Sequence, residues 1–166
     1  MSVETASRSR RTEIVMAGLR VMLGVLFLTV WGSNVNKGLY GPDQYAALIR
    51  LYAEEGQAPG LWKDLMRVIA DGASVFSKLQ LVTELALGVL LTLGLFTRVA
   101  AIVAWAFLTS LWISEVGVPN EWTWSLVFPA LAACAVAWLP ESRAYSLDEL
   151  VLRRPPLDRL PARVRG

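Results

Sequence analysis

Histidine is absent from the 166-residue sequence, and cysteine occurs once, at Cys134. These two absences exclude a bis-His haem, an imidazole zinc site, a Ser-His-Asp triad, a Cys-x-x-Cys couple and a four-Cys iron–sulfur cluster. No metal-ligand set and no covalently held cofactor is expected, so redox chemistry here would have to be supplied by a diffusible carrier or a partner. Charge is also scarce. Charged residues make up 18% of the chain, against roughly 25% in soluble domains. The net charge of +2 is too small to suggest a nucleic-acid partner. What fills the space is apolar: 55% hydrophobic residues and a mean hydropathy of +0.46.

The apolar residues fall into four runs, at 14–32, 77–96, 99–114 and 122–139. A helix needs about 20 mostly apolar residues to cross a hydrocarbon core of roughly 30 Å, and each run meets or approaches that length. Each also has an end: Asn34, Asn36 and Gly38 after the first, Gly94 and Thr97-Arg98 after the second, Gly117 and Pro119 after the third, Pro140 after the fourth. Pro129 inside the fourth removes a bond to the Ser125 carbonyl and predicts a kink. The first run is longer than a signal-peptide core of about 7–15 residues, and no small-x-small cleavage site follows it, so it reads as a retained anchor.

Orientation follows from the basic residues. Arg8, Arg10 and Arg11 precede the first run, Arg98 lies in the short second loop, and Arg143, Arg153, Arg154, Arg159, Arg163 and Arg165 follow the fourth. The third loop, 115–121, has no Lys or Arg. The positive-inside rule places both termini in the cytoplasm. Trp31, Trp112, Trp122 and Trp124 then mark outer helix ends and Trp138 an inner one, as an aromatic belt does, while Trp105 is in mid-helix and could line an internal pocket.

The first loop, 33–76, has its own periodicity. Tyr45, Leu48, Ile49 and Tyr52 recur at helical spacing between Pro42-Asp43 and Gly56, as do Leu61, Trp62, Leu65, Met66 and Ile69 up to Gly72. The expected architecture is an all-α integral membrane protein. It is a four-transmembrane-helix bundle with two short amphipathic helices in the first outer loop, apolar faces on the bundle or on lipid. Residues 1–13 form a cytoplasmic N-terminal tail, 14–139 the membrane domain and 140–166 a basic cytoplasmic C-terminal tail, in a multi-pass protein of the plasma membrane.

An ionisable residue inside a span costs about 2.5–3.5 kcal/mol on insertion scales and needs a reason. Arg20 and Glu84 are the two such residues, at matching places in a short repeat: Arg20-Val-Met-Leu-Gly24-Val-Leu26 and Glu84-Leu-Ala-Leu-Gly88-Val-Leu90. Antiparallel helices would hold them near opposite faces of the membrane and prevent a direct ion pair. Arg20 is expected to snorkel to the cytoplasmic headgroups. Glu84, on a shorter stem, is expected to meet Asn34, Asn36 or Lys37, either as a purely structural cluster or as a site for a polar headgroup, an anion or a proton. Gly24 and Gly88 should let the first two spans approach closely. Cys134, among Ala132, Ala133 and Ala135, reads as a small packing residue. On the inner side, Arg98 should contact a carboxylate among Glu141 and Asp148 and tie the tail to the second loop, giving an inner polar cluster of Arg20, Arg98 and Asp148.

The run from Glu84 through Gly88 and Gly94 to Thr97-Arg98, the early helix with Arg20 and Gly24, and the tail Tyr145-Ser146-Leu147-Asp148-Glu149-Leu150 resemble the DoxX/DoxD family of small prokaryotic membrane proteins. The long outer loop, preceded by Trp31-Gly-Ser-Asn34-Val-Asn36-Lys37-Gly38, is more similar to the DoxD branch. That branch is named for the membrane subunit of a thiosulfate:quinone oxidoreductase, which oxidises thiosulfate to tetrathionate and passes electrons to quinone. The resemblance implies a membrane subunit that works with quinone as electron acceptor and with a second redox subunit, in contact with membrane lipid; a homo-oligomer stays open. Under that reading, position and residue type place the quinone headgroup or the anionic substrate near Asn34, Asn36 and Lys37, with Glu84 as proton carrier. A non-catalytic scaffold for a redox complex and a small-solute permease are the alternatives.

Overall fold

The computed structural model describes residues 3–152, with side-chain detail over 10–150. Arg8 and the basic residues beyond Leu152 lie outside the described side chains. Seven α-helices account for nearly all of it: α1 (Val3–Asn36), α2 (Pro42–Glu55), α3 (Gly60–Asp71), α4 (Ala73–Leu93), α5 (Thr97–Glu115), α6 (Trp124–Trp138) and α7 (Leu147–Leu152), with a 3-10 turn at Pro140–Arg143.

Among the described residues, three helical stretches are long and apolar enough to cross a membrane: Arg10–Asn36, Ala73–Leu93 and Thr97–Glu115. The fourth apolar run gives α6, with 15 residues. At 1.5 Å per residue it is about 22 Å long, short of a full hydrocarbon core. The outer surface of the bundle is apolar: Met22, Val25, Val82, Val89, Val99, Phe128 and Leu131 are all exposed. In water such a surface would be a large liability, and in lipid it is the expected exterior. The protein is therefore a helical membrane protein.

α1 packs on α4 and α5 on α6. The core where these pairs meet is Leu23, Phe27, Leu87, Leu91, Ala101, Ala104, Leu108, Ala133 and Val136, among others. Small residues set the spacing. A Cβ on Gly24 would stand 2.3 Å from Thr92 Oγ1 and 2.5 Å from the Thr92 amide nitrogen; one on Gly88 would stand 2.7 Å from the Leu28 side chain. The two helices touch backbone to backbone at the repeat, with Gly24 opposite Thr92 and Leu28 opposite Gly88, which is an antiparallel register.

α2 and α3 fold back over one end of this bundle. Tyr52, Ala53 and Met66 pack with Val118, from the α5–α6 connection, into a second small core. The Trp62 indole donates to Ser114 Oγ (2.9 Å) and the Gln57 amide to the Val116 carbonyl (2.6 Å), tying both helices to the end of α5. Met66 and Ala70 face inward from α3, whereas Leu61, Leu65 and Val68 are exposed on its other side.

At the opposite end the chain after α6 forms a strap. The Ser142 hydroxyl donates to the carbonyls of Val136 and Leu139, closing α6. Asp148 then reaches the start of α5, where its carboxylate accepts from the Phe96 (2.8 Å) and Thr97 (2.7 Å) amides, while its own amide donates to the Gly94 carbonyl (3.0 Å). The first amides of a helix have no partner within it, and here a residue some fifty positions later in the chain caps them. Trp105 does not line an internal pocket. The residue is 38% exposed and its ring packs edge-on against Trp138 at a centroid distance of 5.6 Å, at the edge of the face that Ala101, Ala104 and Leu108 bury.

Candidate functional site at the two buried charges

Glu84 is 1% exposed and lies on the face of α4 that meets α1. Three donors converge on its carboxylate. Gln80 Nε2, one turn earlier on α4, donates to Oε1 (2.7 Å). The Tyr40 hydroxyl (2.6 Å) and Asn34 Nδ2 (3.2 Å) donate to Oε2. The Tyr45 hydroxyl donates in turn to Gln80 Oε1 (2.9 Å), fixing the amide so that its NH2 faces Glu84. Hydrogen bonds to a charged acceptor in a low-dielectric surrounding are among the stronger ones in proteins. Burial, and then the bond to Glu84, raise the Tyr40 phenol well above its ordinary value. Burial and the nearby Glu84 charge push Tyr45 up to about 12. Both phenols therefore stay protonated, as donors.

The structure brings Asn34 to Glu84 but not Asn36 or Lys37, which are exposed. At 100° per residue Asn36 points almost opposite to Asn34, and α1 ends at Asn36. Their place at the carboxylate is taken by Tyr40, Gln80 and, behind Gln80, Tyr45. Gln80 was detectable as the residue one turn before Glu84. Tyr45 reads in sequence as part of an apolar stripe, and its polar tip gives no signal of its own. Tyr40 reaches Glu84 only because the connection after α1 turns through Gly38 (φ 66°).

Arg20 is also 1% exposed, at the other end of the same helix pair. It does not snorkel. Nη1 fits into the space left by the missing side chain of Gly94, where a Cβ would come within 1.9 Å, and Ser146 closes over the same spot. Nη2 donates to the Tyr145 carbonyl (3.2 Å). The strap therefore covers Arg20 before it can reach the surface. Asp148 sits close enough to compensate its charge but spends its oxygens on the α5 amides. Burial pushes the Asp148 carboxyl up, and the Thr97 and Phe96 hydrogen bonds outweigh that and hold it below the usual range. Arg98 is exposed and pairs with no carboxylate among the described residues. The tail is tied to the second loop through Asp148 and backbone amides, which an arginine cannot replace as donors pointing along a helix axis. Arg20 and Asp148 are thus neighbours, and Arg98 is not part of their cluster.

Two cavities open at this strap end. One of about 980 Å³ is bounded by Thr92, Leu93, Tyr145, Ser146, Leu147 and Leu150 among others, and one of about 100 Å³ lies by Arg98, Val136 and Ser142. Neither reaches Glu84.

Fold and site together define a small helical membrane protein built on a glycine-spaced helix pair, with a hydrogen-bonded carboxylate buried at one end and an arginine under a C-terminal strap at the other. The chain belongs to the DoxD family: the family described as TQO small subunit DoxD matches residues 15–158. No curated protein and no solved structure matches the chain.

Proposed function

We propose that the chain is the membrane subunit of a quinone-linked oxidoreductase of the thiosulfate:quinone type, working with a second redox subunit. In this reading α6 is the fourth span, both termini are cytoplasmic and the Glu84 end faces outward across the plasma membrane. The observation that carries it is the convergence of Tyr40, Asn34 and Gln80 on a buried glutamate. Membrane-depth carboxylates are costly and are characteristic of proton and substrate sites.

The residues present suit a quinone headgroup, which offers carbonyl oxygens as acceptors in its oxidised form and phenolic hydroxyls as donors in its reduced form. Asn34 and Gln80 supply N–H donors, and Glu84 supplies an acceptor that can give or take a proton. The buried indole N–H of Trp31, one turn before Asn34 on α1, has no partner among the described residues and is a further donor. Bound quinone supplies the electron-accepting chemistry. The chain orients it, excludes water and manages the proton at Glu84. Exposed Lys37 draws an anionic substrate toward this end, with Asn36 beside it.

The test is Glu84→Gln in the purified complex. General acid–base groups contribute about 100-fold or more, so quinone reduction should fall by that order while the subunits remain assembled. Unchanged turnover would refute the proposal. The closure of Glu84 by its neighbours favours a second reading, a non-catalytic scaffold. There the same substitution lowers thermal stability and leaves the turnover of each assembled complex intact.

A further inference from the structure

The three donors on Glu84 are not held alike. Asn34 projects from α1 and Gln80 from α4, and these helices are locked together at Gly24 and Gly88. Tyr40 stands on the short connection between α1 and α2. That connection turns at Gly38 with φ 66° and closes with a bond from the Gly41 amide to the Gly38 carbonyl (2.9 Å). A Cβ added to Gly38 would meet nothing within 4 Å, so that side of the turn is open, while its backbone is tied to the end of α1 by the Gly38 amide on the Val35 carbonyl (3.0 Å) and the Leu39 amide on the Asn34 carbonyl (2.9 Å). Tyr40 itself is only half-buried. The shortest of the three bonds to Glu84, at 2.6 Å, comes from the one donor that does not stand on a helix.

The chemistry of that residue matters. A tyrosine side chain is a phenol, and a benzoquinol is a phenol with a second hydroxyl across the ring. Both present an O–H of ordinary pKa near about 10 on an aromatic plane. A quinol donating to Glu84 would make the contact that Tyr40 makes now. Resting on the quinone reading above, we infer that Tyr40 is the internal occupant of a phenol position at Glu84: its hydroxyl is exchanged for a quinol hydroxyl, with the half-buried Tyr40 side chain turning away while the backbone bonds of the turn stay made. The closed carboxylate is then the resting state of a site that opens toward the α2 side, and Asn34 and Gln80 stay in place to receive the ligand.

Competition of this kind lowers apparent affinity by the fraction of molecules in which Tyr40 is displaced. Tyr40→Phe keeps the ring and removes the competing donor. Binding of decylbenzoquinol to the detergent-purified protein, followed anaerobically by calorimetry, should tighten about tenfold in Tyr40→Phe, the size of one lost charge-assisted hydrogen bond. It should also become weaker in Glu84→Gln. If Glu84→Gln does not fold, labelling of Glu84 by a hydrophobic carbodiimide, read by mass spectrometry, replaces it: labelling should be faster in Tyr40→Phe and suppressed by the quinol. Equal or weaker quinol binding in Tyr40→Phe, with binding still dependent on Glu84, overturns the role of Tyr40 and leaves the quinone reading intact. Absence of quinol binding, or binding indifferent to Glu84, overturns both.

Discussion

An alanine at position 24 tests whether the glycine repeat sets the fold. The added Cβ would stand 2.5 Å from the Thr92 nitrogen and 2.9 Å from the Gly88 carbonyl oxygen, besides 2.3 Å from Thr92 Oγ1. The hydroxyl can rotate away at the cost of its 2.7 Å bond to the Gly88 carbonyl, but the two backbone atoms cannot. Ordinary contact begins near 3.4 Å, so α1 must withdraw from α4 by roughly 1 Å, a gap that forfeits a quarter to a half of the dispersion energy along the seam. Overpacking of this kind costs about 1–3 kcal/mol. At about 2–4 °C per kcal/mol for a chain of this size, the melting temperature in detergent should fall by about 2–12 °C. Position 18 on the same helix supplies the control: a Cβ there meets nothing within 4 Å, and Gly18→Ala should gain about 0.5–1 kcal/mol from the better helix former. Circular dichroism at 222 nm during heating measures both. If Gly24→Ala melts at or above the wild type while Gly18→Ala does not differ from it, the helices are not spaced by this contact and the reasoning fails.

Three further outcomes follow from the strap and the surface. Asp148→Ala removes the acceptor for two α5 amides and should cost about 0.5–2 kcal/mol, with faster hydrogen exchange at Phe96 and Thr97. Because the Asp148 carboxyl is held below its usual range, its docking contributes above the ordinary aspartate value of about 3.9 and is lost as pH falls through the lower folded value; protease accessibility of the strap measured against pH should rise only on that acid limb, and a rise centred near neutrality would contradict it. Tyr145→Gly should hold or raise stability by up to about 1 kcal/mol, since Tyr145 adopts φ 55°, a conformation costly for side chains, and gives Arg20 only its backbone carbonyl; a clear loss in thermal melts would show that the ring matters. Arg50→Ala should change the melting temperature by less than the error, because its 3.0 Å pair with Asp71 is exposed on both sides and such pairs contribute about 0–1 kcal/mol.

Periodicity and composition made the membrane helices legible, because lipid demands long apolar runs and internally satisfied backbones, while the family was legible only as a resemblance of particular motif residues around Glu84, Thr97-Arg98 and the tail. The repeat around Gly24 and Gly88 was legible for a related reason: small residues at helical spacing have few uses other than close approach. The site was only partly legible. Glu84 and Arg20 announce themselves by the cost of charge in a span, but their partners depend on how connections fold back. Tyr40 comes from a glycine turn and Tyr145 from a strap more than a hundred residues after Arg20, separations at which no periodicity links the residues. Arg98 misled for an electrostatic reason. A carboxylate near the start of a helix looks for positive charge, and the helix amides satisfied Asp148 before any side chain was needed.

The two ends of the α1–α4 pair also explain why only one of them is read as a site. Each buried charge begins one copy of the repeat, and antiparallel packing sends the copies to opposite ends. Arg20 is covered by fixed elements: Nη2 donates to a backbone carbonyl, Nη1 fills the space at Gly94, Nε and Nη1 have no hydrogen-bond partner among the described residues, and a strap pinned by two amide bonds to Asp148 closes over the group. To free it, the cap of α5 must break. Glu84 is held by three side chains, and the one that closes the site stands outside the helices, two residues after Gly38, where the turn faces open space. Turning the Tyr40 side chain away breaks one side-chain bond and leaves the amide bonds that close α1, from Gly38 to Val35 and from Leu39 to Asn34, in place. A charge locked by backbone serves to dock the tail, whereas a charge closed by a movable phenol can exchange that phenol for a ligand, and the proposed chemistry therefore belongs to the Glu84 end.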